Sequence, residues 1–244
     1  MQYQRIKLLE RYQTAKDTFV YRFCYPPKDF TFFSGQYVIL KNPLFPDPQE
    51  EHPFSLASSP DQTEYLEFCI KVYGDWTRSL TQLKSGDTLD ISNPEGNLRW
   101  HEEAKNAVFL VGSVGIAPIM SFLRTIAALP NKPQTLTLLY GNRTRGTVAY
   151  KEELEDLKPF LPMLKIVHIY SELLEGEAAN QDYTGFITRE IVQKEVDLSL
   201  SPAFYYLGPP VFIEKMDQLL NSLAIPNDKR YKEDYSRIIP PPKT

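Results

Sequence analysis

Two cysteines, Cys24 and Cys69, are the only thiols in this 244-residue chain. Two thiolates are too few for an iron–sulfur cluster, which takes four ligands, and their spacing is not that of a zinc site. Both lie in apolar, strand-like segments, so buried, inert thiols are expected, and nothing in the spacing supports a disulfide. Any redox cofactor is therefore expected to be organic, with no metal held by the chain. Long apolar runs are also missing. No stretch of about eighteen apolar residues occurs, so no membrane span is encoded. The opening Met1-Gln2-Tyr3-Gln4-Arg5 lacks the basic-then-apolar layout of a secretory signal, and a cytoplasmic location is the expectation. Cations are outnumbered: 27 Lys and Arg against 31 Asp and Glu give a net charge of −4, which argues against nucleic acid as a ligand.

The remaining composition, 42% hydrophobic and 24% charged, is that of a soluble globular protein. The length suits one large domain or two of about 100–140 residues. The first hundred residues read as short strands at 5–9, 18–23, 37–40, 54–57, 66–73 and 88–91, separated by proline- and glycine-bearing turns. Six strands at this spacing predict a small antiparallel barrel. Trp76, Leu80 and Leu83, at helical spacing, are expected to cap one end of it. After Glu103 strand and helix alternate, with strands at 107–111, 135–140, 165–170, 203–207 and 230–235 and helices at 118–129, 150–157, 188–196 and 211–223. That alternation predicts an α/β domain around a parallel five-stranded sheet. A boundary at 100–105 divides the chain into expected domains of residues 1–102 and 103–244.

Four segments carry chemistry. In Gly112-Ser113-Val114-Gly115-Ile116-Ala117-Pro118, an apolar strand ends on glycine and a helix begins. Free backbone N–H groups and a positive helix end at the first switch of a parallel sheet suit a phosphate, and Pro118 suits a first helical turn, where no donor is needed. Leu207-Gly208-Pro209-Pro210 repeats that strand-to-helix layout. His52-Pro53-Phe54-Ser55-Leu56-Ala57-Ser58 puts an aromatic and a hydroxyl on a barrel strand, where they could meet a planar ring. Gly74-Asp75-Trp76-Thr77-Arg78 opens the capping helix with amides, a hydroxyl and a guanidinium, a set suited to an anion. Each segment alone also has a plain structural reading: a connecting turn, a core phenylalanine, a solvated arginine.

Taken in order, the segments resemble the ferredoxin–NADP reductase superfamily over essentially the whole chain, in its stand-alone form without an iron–sulfur domain. The family's R-x-[YF]-[ST] strand is matched by His52–Ser55, its G-x-[FY]-[ST] segment by Gly74–Thr77, and its P-x-G by Pro94-Glu95-Gly96. Its G-G-T-G-I-A-P turn becomes Gly112–Pro118 and its C-G-P-P becomes Leu207–Pro210. Tyr140-Gly141-Asn142-Arg143, Gly185-Phe186-Ile187-Thr188 and Glu233-Asp234-Tyr235 also fit. The resemblance implies FAD on a Greek-key barrel and NADPH or NADH on the α/β domain. By it, His52, Pro53, Phe54 and Ser55 meet the flavin, with Ser55 near N5, while Gly74, Trp76, Thr77 and Arg78 hold its pyrophosphate. Gly112, Ser113, Gly115 and Pro118 would cradle the pyridine nucleotide, with Gly208 and Pro209 beside the nicotinamide. Ser55, Glu233 and Tyr235 are the implied catalytic group.

Four departures from the pattern stand out. His52 replaces an arginine, and Arg78 is expected to compensate in part. Val114 replaces a threonine, and Leu207 a cysteine. Ser171-Glu172 stands where NADPH-using members carry Ser-Arg, while Arg143 and Arg145 favour a 2′-phosphate, which leaves the coenzyme open. The implied function is electron transfer from NAD(P)H through FAD to a separate acceptor protein such as a ferredoxin, flavodoxin, oxygenase or haem partner. Two alternatives stand beside it: a reductase of free flavin or ferric complexes, and a non-enzymatic assembly subunit that keeps the fold. The basic group Lys229, Arg230, Lys232 and Arg237 reads either as a dock for an acidic carrier or as a solvated face.

Overall fold

Alternating side chains in the first hundred residues form β1 (Tyr3–Ala15), β2 (Thr18–Cys24), β3 (Tyr37–Lys41), β4 (Glu51–Ser55), β5 (Tyr65–Lys71) and β6 (Thr88–Ser92), with the short helix α1 (Asp75–Leu80) before the last. The computed structural model describes residues 2–26, 29–173 and 182–233. The sheet runs β4-β3-β6-β1-β2-β5, each neighbouring pair antiparallel. Strand β1 extends beyond its expected range because it serves two partners: Tyr3–Lys7 pair with β6, and the chain from Leu8 pairs with β2. Register shifts between Leu8 and Glu10 and between Gln13 and Ala15 mark the irregular stretch. Residues 9–13 are exposed, so no buried alternation announces them in the sequence. The outer edges approach where the Ala57 amide donates to the Glu67 carbonyl at 2.8 Å, which closes the barrel.

Inside lie Ile6, Leu8, Phe23, Val38, Leu40, Phe68, Leu89 and Ile91, joined by Trp76 and Leu80 of α1 and by Leu83, which lies beyond the helix's end at Leu80. Burial of an aromatic of this kind removes on the order of 200 Å² from water, about 5 kcal/mol at most before entropy is charged against it.

The later residues form β7 (Asn106–Gly112), α2 (Ile116–Ala128), β8 (Thr135–Asn142), α3 (Lys151–Leu157), β9 (Leu164–Tyr170), β10 (Tyr183–Thr184), α4 (Arg189–Glu195), β11 (Ala203–Leu207), α5 (Pro210–Ser222) and β12 (Arg230–Tyr231). Their order is β10-β9-β8-β7-β11-β12, all parallel. The sheet has six strands among the described residues, not the expected five. The addition, β10, is two residues long, too short for any periodicity to reveal. Residues Ala107–Val111 of β7 are all buried, as a strand covered on both faces requires. Val108, Leu110, Leu139, Val167, Ile169, Phe204 and Tyr206 share a core with Ile191 and Val192 of α4 and Met216 and Leu220 of α5.

By Cα packing the described chain groups into two units. One gathers the residues up to Trp100 with Ala117–Thr125 of α2 and with Glu233; the other holds His101–Ile116 and Ile126–Lys232.

Candidate functional site

On the barrel, β4 pairs with β3 so that Leu40 faces His52, Val38 faces Phe54 and Tyr37 faces Ser55. His52, Pro53, Phe54 and Ser55 are all half-buried, placed between core and surface. The Phe54 ring stacks on Trp76 at 5.6 Å and 18°, and His52 leans on the same indole at 4.6 Å. The structure thus brings the β4 segment and the α1 segment together. Trp76 itself is 3% exposed. Its side chain underlies Phe54 rather than facing solvent. Its indole N–H is buried without a partner among the described residues.

Thr77 is also buried, and its hydroxyl is occupied. It accepts from the Tyr73 and Gly74 amides at 3.1 Å each and lies 3.1 Å from the Gly74 carbonyl, to which it donates. Space for an anion is nevertheless present, because a side chain at Gly74 would meet nothing within 4 Å. Arg78 is exposed, its nearest carboxylate Asp75 at 3.9 Å, so its guanidinium is loosely held. His52 lies 2.8 Å from Glu50. Glu233 accepts from the Leu98 amide at 3.2 Å, and its carboxylate lies 2.7 Å from where a side chain on Gly96 would begin. It therefore rests on the Pro94-Glu95-Gly96 turn. Tyr37 neighbours the same group, and burial, then the Glu95 and Glu233 charges, push its phenol up to about 12. Tyr235 lies outside the described residues.

In the parallel sheet three glycines stand in a row at the carboxyl ends of neighbouring strands: Gly141 beside Gly112, with Gly208 just past β11. The expected role of the last two was to let a phosphate approach the backbone. The structure gives another reason for them. A side chain at Gly112 would meet the Phe212 ring at 2.8 Å and one at Gly208 would meet it at 2.7 Å. Gly112 has φ −112°, a conformation open to any residue, so the ring and not the backbone demands the glycine. Gly115 is excluded from bearing a side chain by the Leu207 carbonyl, 2.3 Å from the ideal Cβ position. Ser113 holds φ +52° and starts a turn of 3₁₀ helix ahead of α2. Pro118 is buried in the first turn of α2. Pro209 caps α5 and is exposed. Phe212 is a residue that sequence reasoning missed, and its only signal was three positions of spacing from a proline.

Two arginines at the other end of the row are not free. Arg143 makes a two-pronged pair with Glu172, 2.9 Å on each arm, which holds the Glu172 carboxyl below its usual range. Arg145 pairs with Asp182 and lies over the Tyr170 ring. Between them Asn142 ends β8, 7% exposed, with both side-chain amide atoms lacking a partner among the described residues. His168, on the adjacent strand, also has a buried, unpaired Nδ1, and burial lowers its pKa. A buried amide with no partner is rare. The open Gly141, where a side chain would meet nothing nearer than 3.4 Å, lies beside it. The Phe212 ring lies against Gly112 and Gly208.

The suggested basic dock is largely spent on the fold. Arg230 donates to Ile225 and Leu220 carbonyls and to Asn221, and Lys232 pairs with Asp217. Arg237 lies outside the described residues. No helix among the described residues is long and apolar enough to cross a membrane.

Residues 5–100 match the oxidoreductase FAD-binding domain family and residues 109–218 the oxidoreductase NAD-binding domain family. Similar curated proteins include NADH-cytochrome b5 reductase 1 of Lodderomyces elongisporus, 28% identical, across 93% of this chain and 77% of that protein. Among solved structures, the cytochrome b5 reductase domain of Ulva prolifera nitrate reductase superposes with a TM-score of 0.81 at 17% identity, covering 95% of this chain and 97% of that one. A ferredoxin NADP+ reductase from Neisseria gonorrhoeae with bound FAD and NADP gives a TM-score of 0.78 at 18% identity, covering 96% and 98%. At these identities the structural likenesses establish the fold.

Proposed function

Because the chain belongs to the ferredoxin–NADP reductase superfamily, an FAD-binding domain followed by an NAD-binding one, we propose that it takes electrons from NADH and passes them to a separate acceptor protein. It is an NAD(P)H-dependent, flavin-containing reductase. FAD, when bound, supplies the chemistry of accepting a hydride from the reduced pyridine and giving up its electrons singly. The residues 1–102 are read as the flavin domain and 103–244 as the nucleotide domain.

The chain's own residues align and shield the reactants. Phe54 offers a ring held in place by Trp76, and Ser55 a hydroxyl for the flavin edge. His52 and Pro53 flank them, and Gly74, Trp76 and Thr77 form the wall for the pyrophosphate, mainly through backbone given how far the two side chains are buried. Arg78, held only loosely, supplies the permanent charge that His52 lacks. Gly112, Ser113, Gly115 and Pro118 hold the pyridine nucleotide, with Gly208 and Pro209 toward its nicotinamide. Glu233 and Tyr235 complete the site.

The preference for NADH rests on Arg143 and Arg145, each already neutralised by a carboxylate. A 2′-phosphate would have to break an existing pair and face Glu172, whereas a 2′-hydroxyl would not. Cys24 lies on β2 and Cys69 on β5, with Cys69 registered against Val20 and Cys24 against Tyr65. They do not form a cluster site. The curated relative named above is an NADH-cytochrome b5 reductase, which favours a protein acceptor over free flavin.

Anaerobic addition of NADH to the yellow protein is expected to bleach the flavin band at far lower concentration than NADPH. Equal bleaching by both sinks the coenzyme preference. A colourless protein that reduces added flavin favours the small-acceptor reading.

A further inference from the structure

Where β4 ends at Ser55 its chain leaves the sheet, and the carbonyls of the next residues need partners from elsewhere. The amides are accounted for: Leu56 donates to Gln36 and Ala57 to Glu67. The carbonyls go to α2. Arg124 donates to the Ala57 carbonyl at 2.5 Å, and the Ser121 hydroxyl to the Ser58 carbonyl at 2.7 Å. A second nitrogen of Arg124 reaches Glu67 Oε1 at 2.7 Å, while Arg22 takes Glu67 Oε2 at 2.7 Å. Glu67 has no solvent exposure, so a carboxylate sits wholly inside the barrel unit with a guanidinium on each oxygen. The Ser58 hydroxyl accepts from the Glu67 amide at 3.2 Å and closes the circuit.

Such a cluster is a poor way to gain stability. Removing two cations and an anion from water costs most of what their attraction returns, and apolar residues of like volume would do as well. Its specific product is geometric. One planar guanidinium, with fixed nitrogens, holds the Ala57 carbonyl and a buried carboxylate at once, in a spacing that a lysine's single nitrogen does not fix.

We propose that Arg124, oriented by Glu67, is a positioning residue for the flavin: it fixes Ala57 and through it Phe54 and Ser55, three and two residues upstream. The proposal rests on the reading that Phe54 and Ser55 meet FAD. Arg124 touches no cofactor in this scheme. It acts through the chain that follows β4.

The test uses the full chain purified with FAD, comparing wild type with Arg124→Met, Arg124→Lys, Phe54→Ala and the double variant Arg124→Met with Phe54→Ala. Arg124→Met is expected to raise the FAD dissociation constant about tenfold and to shift the flavin midpoint potential. Its NADH dissociation constant should stay within twofold of wild type. Arg124→Lys should recover the melting temperature more than the FAD affinity. In the Phe54→Ala background the same loss of Arg124 should cost less than threefold, because the ring it positions is gone. If Arg124→Met lowers only the melting temperature, with FAD affinity and potential unchanged, the network is structural and the proposal fails. If the two losses multiply, Arg124 acts by another route and the proposal also fails. Should Arg124→Met not fold, Ser121→Ala removes one strand carbonyl's partner and should weaken FAD in the same direction by a smaller factor; no weakening overturns the idea. Wild type that retains no FAD overturns the functional reading itself, a result distinct from variants that match an FAD-loaded wild type.

Discussion

Ser113 shows how one residue can be held against its own preference. Its φ of +52° lies in the left-handed region, where a side chain with a Cβ costs about 1 kcal/mol and a β-branched one more. Ser113→Val is expected to lower unfolding free energy by about 1–2 kcal/mol and Ser113→Gly to leave it level or raise it slightly, as read from urea midpoints. Glu172 is a second case. With its carboxylate neutralised as Glu172→Gln, Arg143 loses its two-pronged partner and becomes available to a phosphate. The ratio of kcat/KM for NADPH over NADH should rise about tenfold, equivalent to about 1.4 kcal/mol. An unchanged ratio would remove Arg143 from coenzyme selection.

At the scale of elements, the glycine row and α5 behave as one unit. Gly208→Ala puts a methyl 2.7 Å from the Phe212 ring. An overpacking cost of about 1–3 kcal/mol is expected, and Phe212→Ala in the same chain should recover much of it. A sum of two independent penalties in the double variant would refute the contact. This coupling was invisible in the sequence, because nothing about Phe212 indicates that its ring lies not only on its own turn at Gly208 but also on the distant turn at Gly112. The elements themselves were readable: the apolar β7, the period-two barrel strands, and the helix that carries Trp76 and Leu80, although it ends at Leu80 and leaves Leu83 beyond it. Failures have a common cause. The exposed half of β1 and the two-residue β10 bury little, and only burial writes a period into a sequence. The candidate site was likewise half-legible. Its backbone turns could be named, but the carboxylates that neutralise Arg143 and Arg145 lie 29 and 37 residues away along the chain.

For the molecule as a whole, stability should fall at both ends of the pH scale. Burial lowers the pKa of His168 in the folded chain, so the unfolded chain binds its proton more readily. That contribution is complete above the ordinary histidine value of about 6.5 and is lost as pH falls toward the depressed folded value. His168→Gln should therefore flatten the acid side of a plot of melting temperature against pH. Tyr21 and Tyr37 have the opposite sign. Burial pushes each to about 12, so their contribution is intact below the ordinary value of about 10 and is lost as pH rises through 12. Tyr21→Phe should soften the alkaline decline. A melting temperature that is flat from pH 5 to 7 would contradict the role given to His168.

The pairing of Glu67 with Arg124 also governs how this protein can be cut. A gene fragment ending at residue 102 would encode every barrel strand yet omit the guanidinium and hydroxyls that residues 117–125 contribute to that same unit. The truncated product would lack one of the two guanidinium groups that meet Glu67 and the α2 donors to the Ala57 and Ser58 carbonyls. Anyone wishing to express the first half by itself would need to neutralise position 67 or carry the helix along as a tethered peptide.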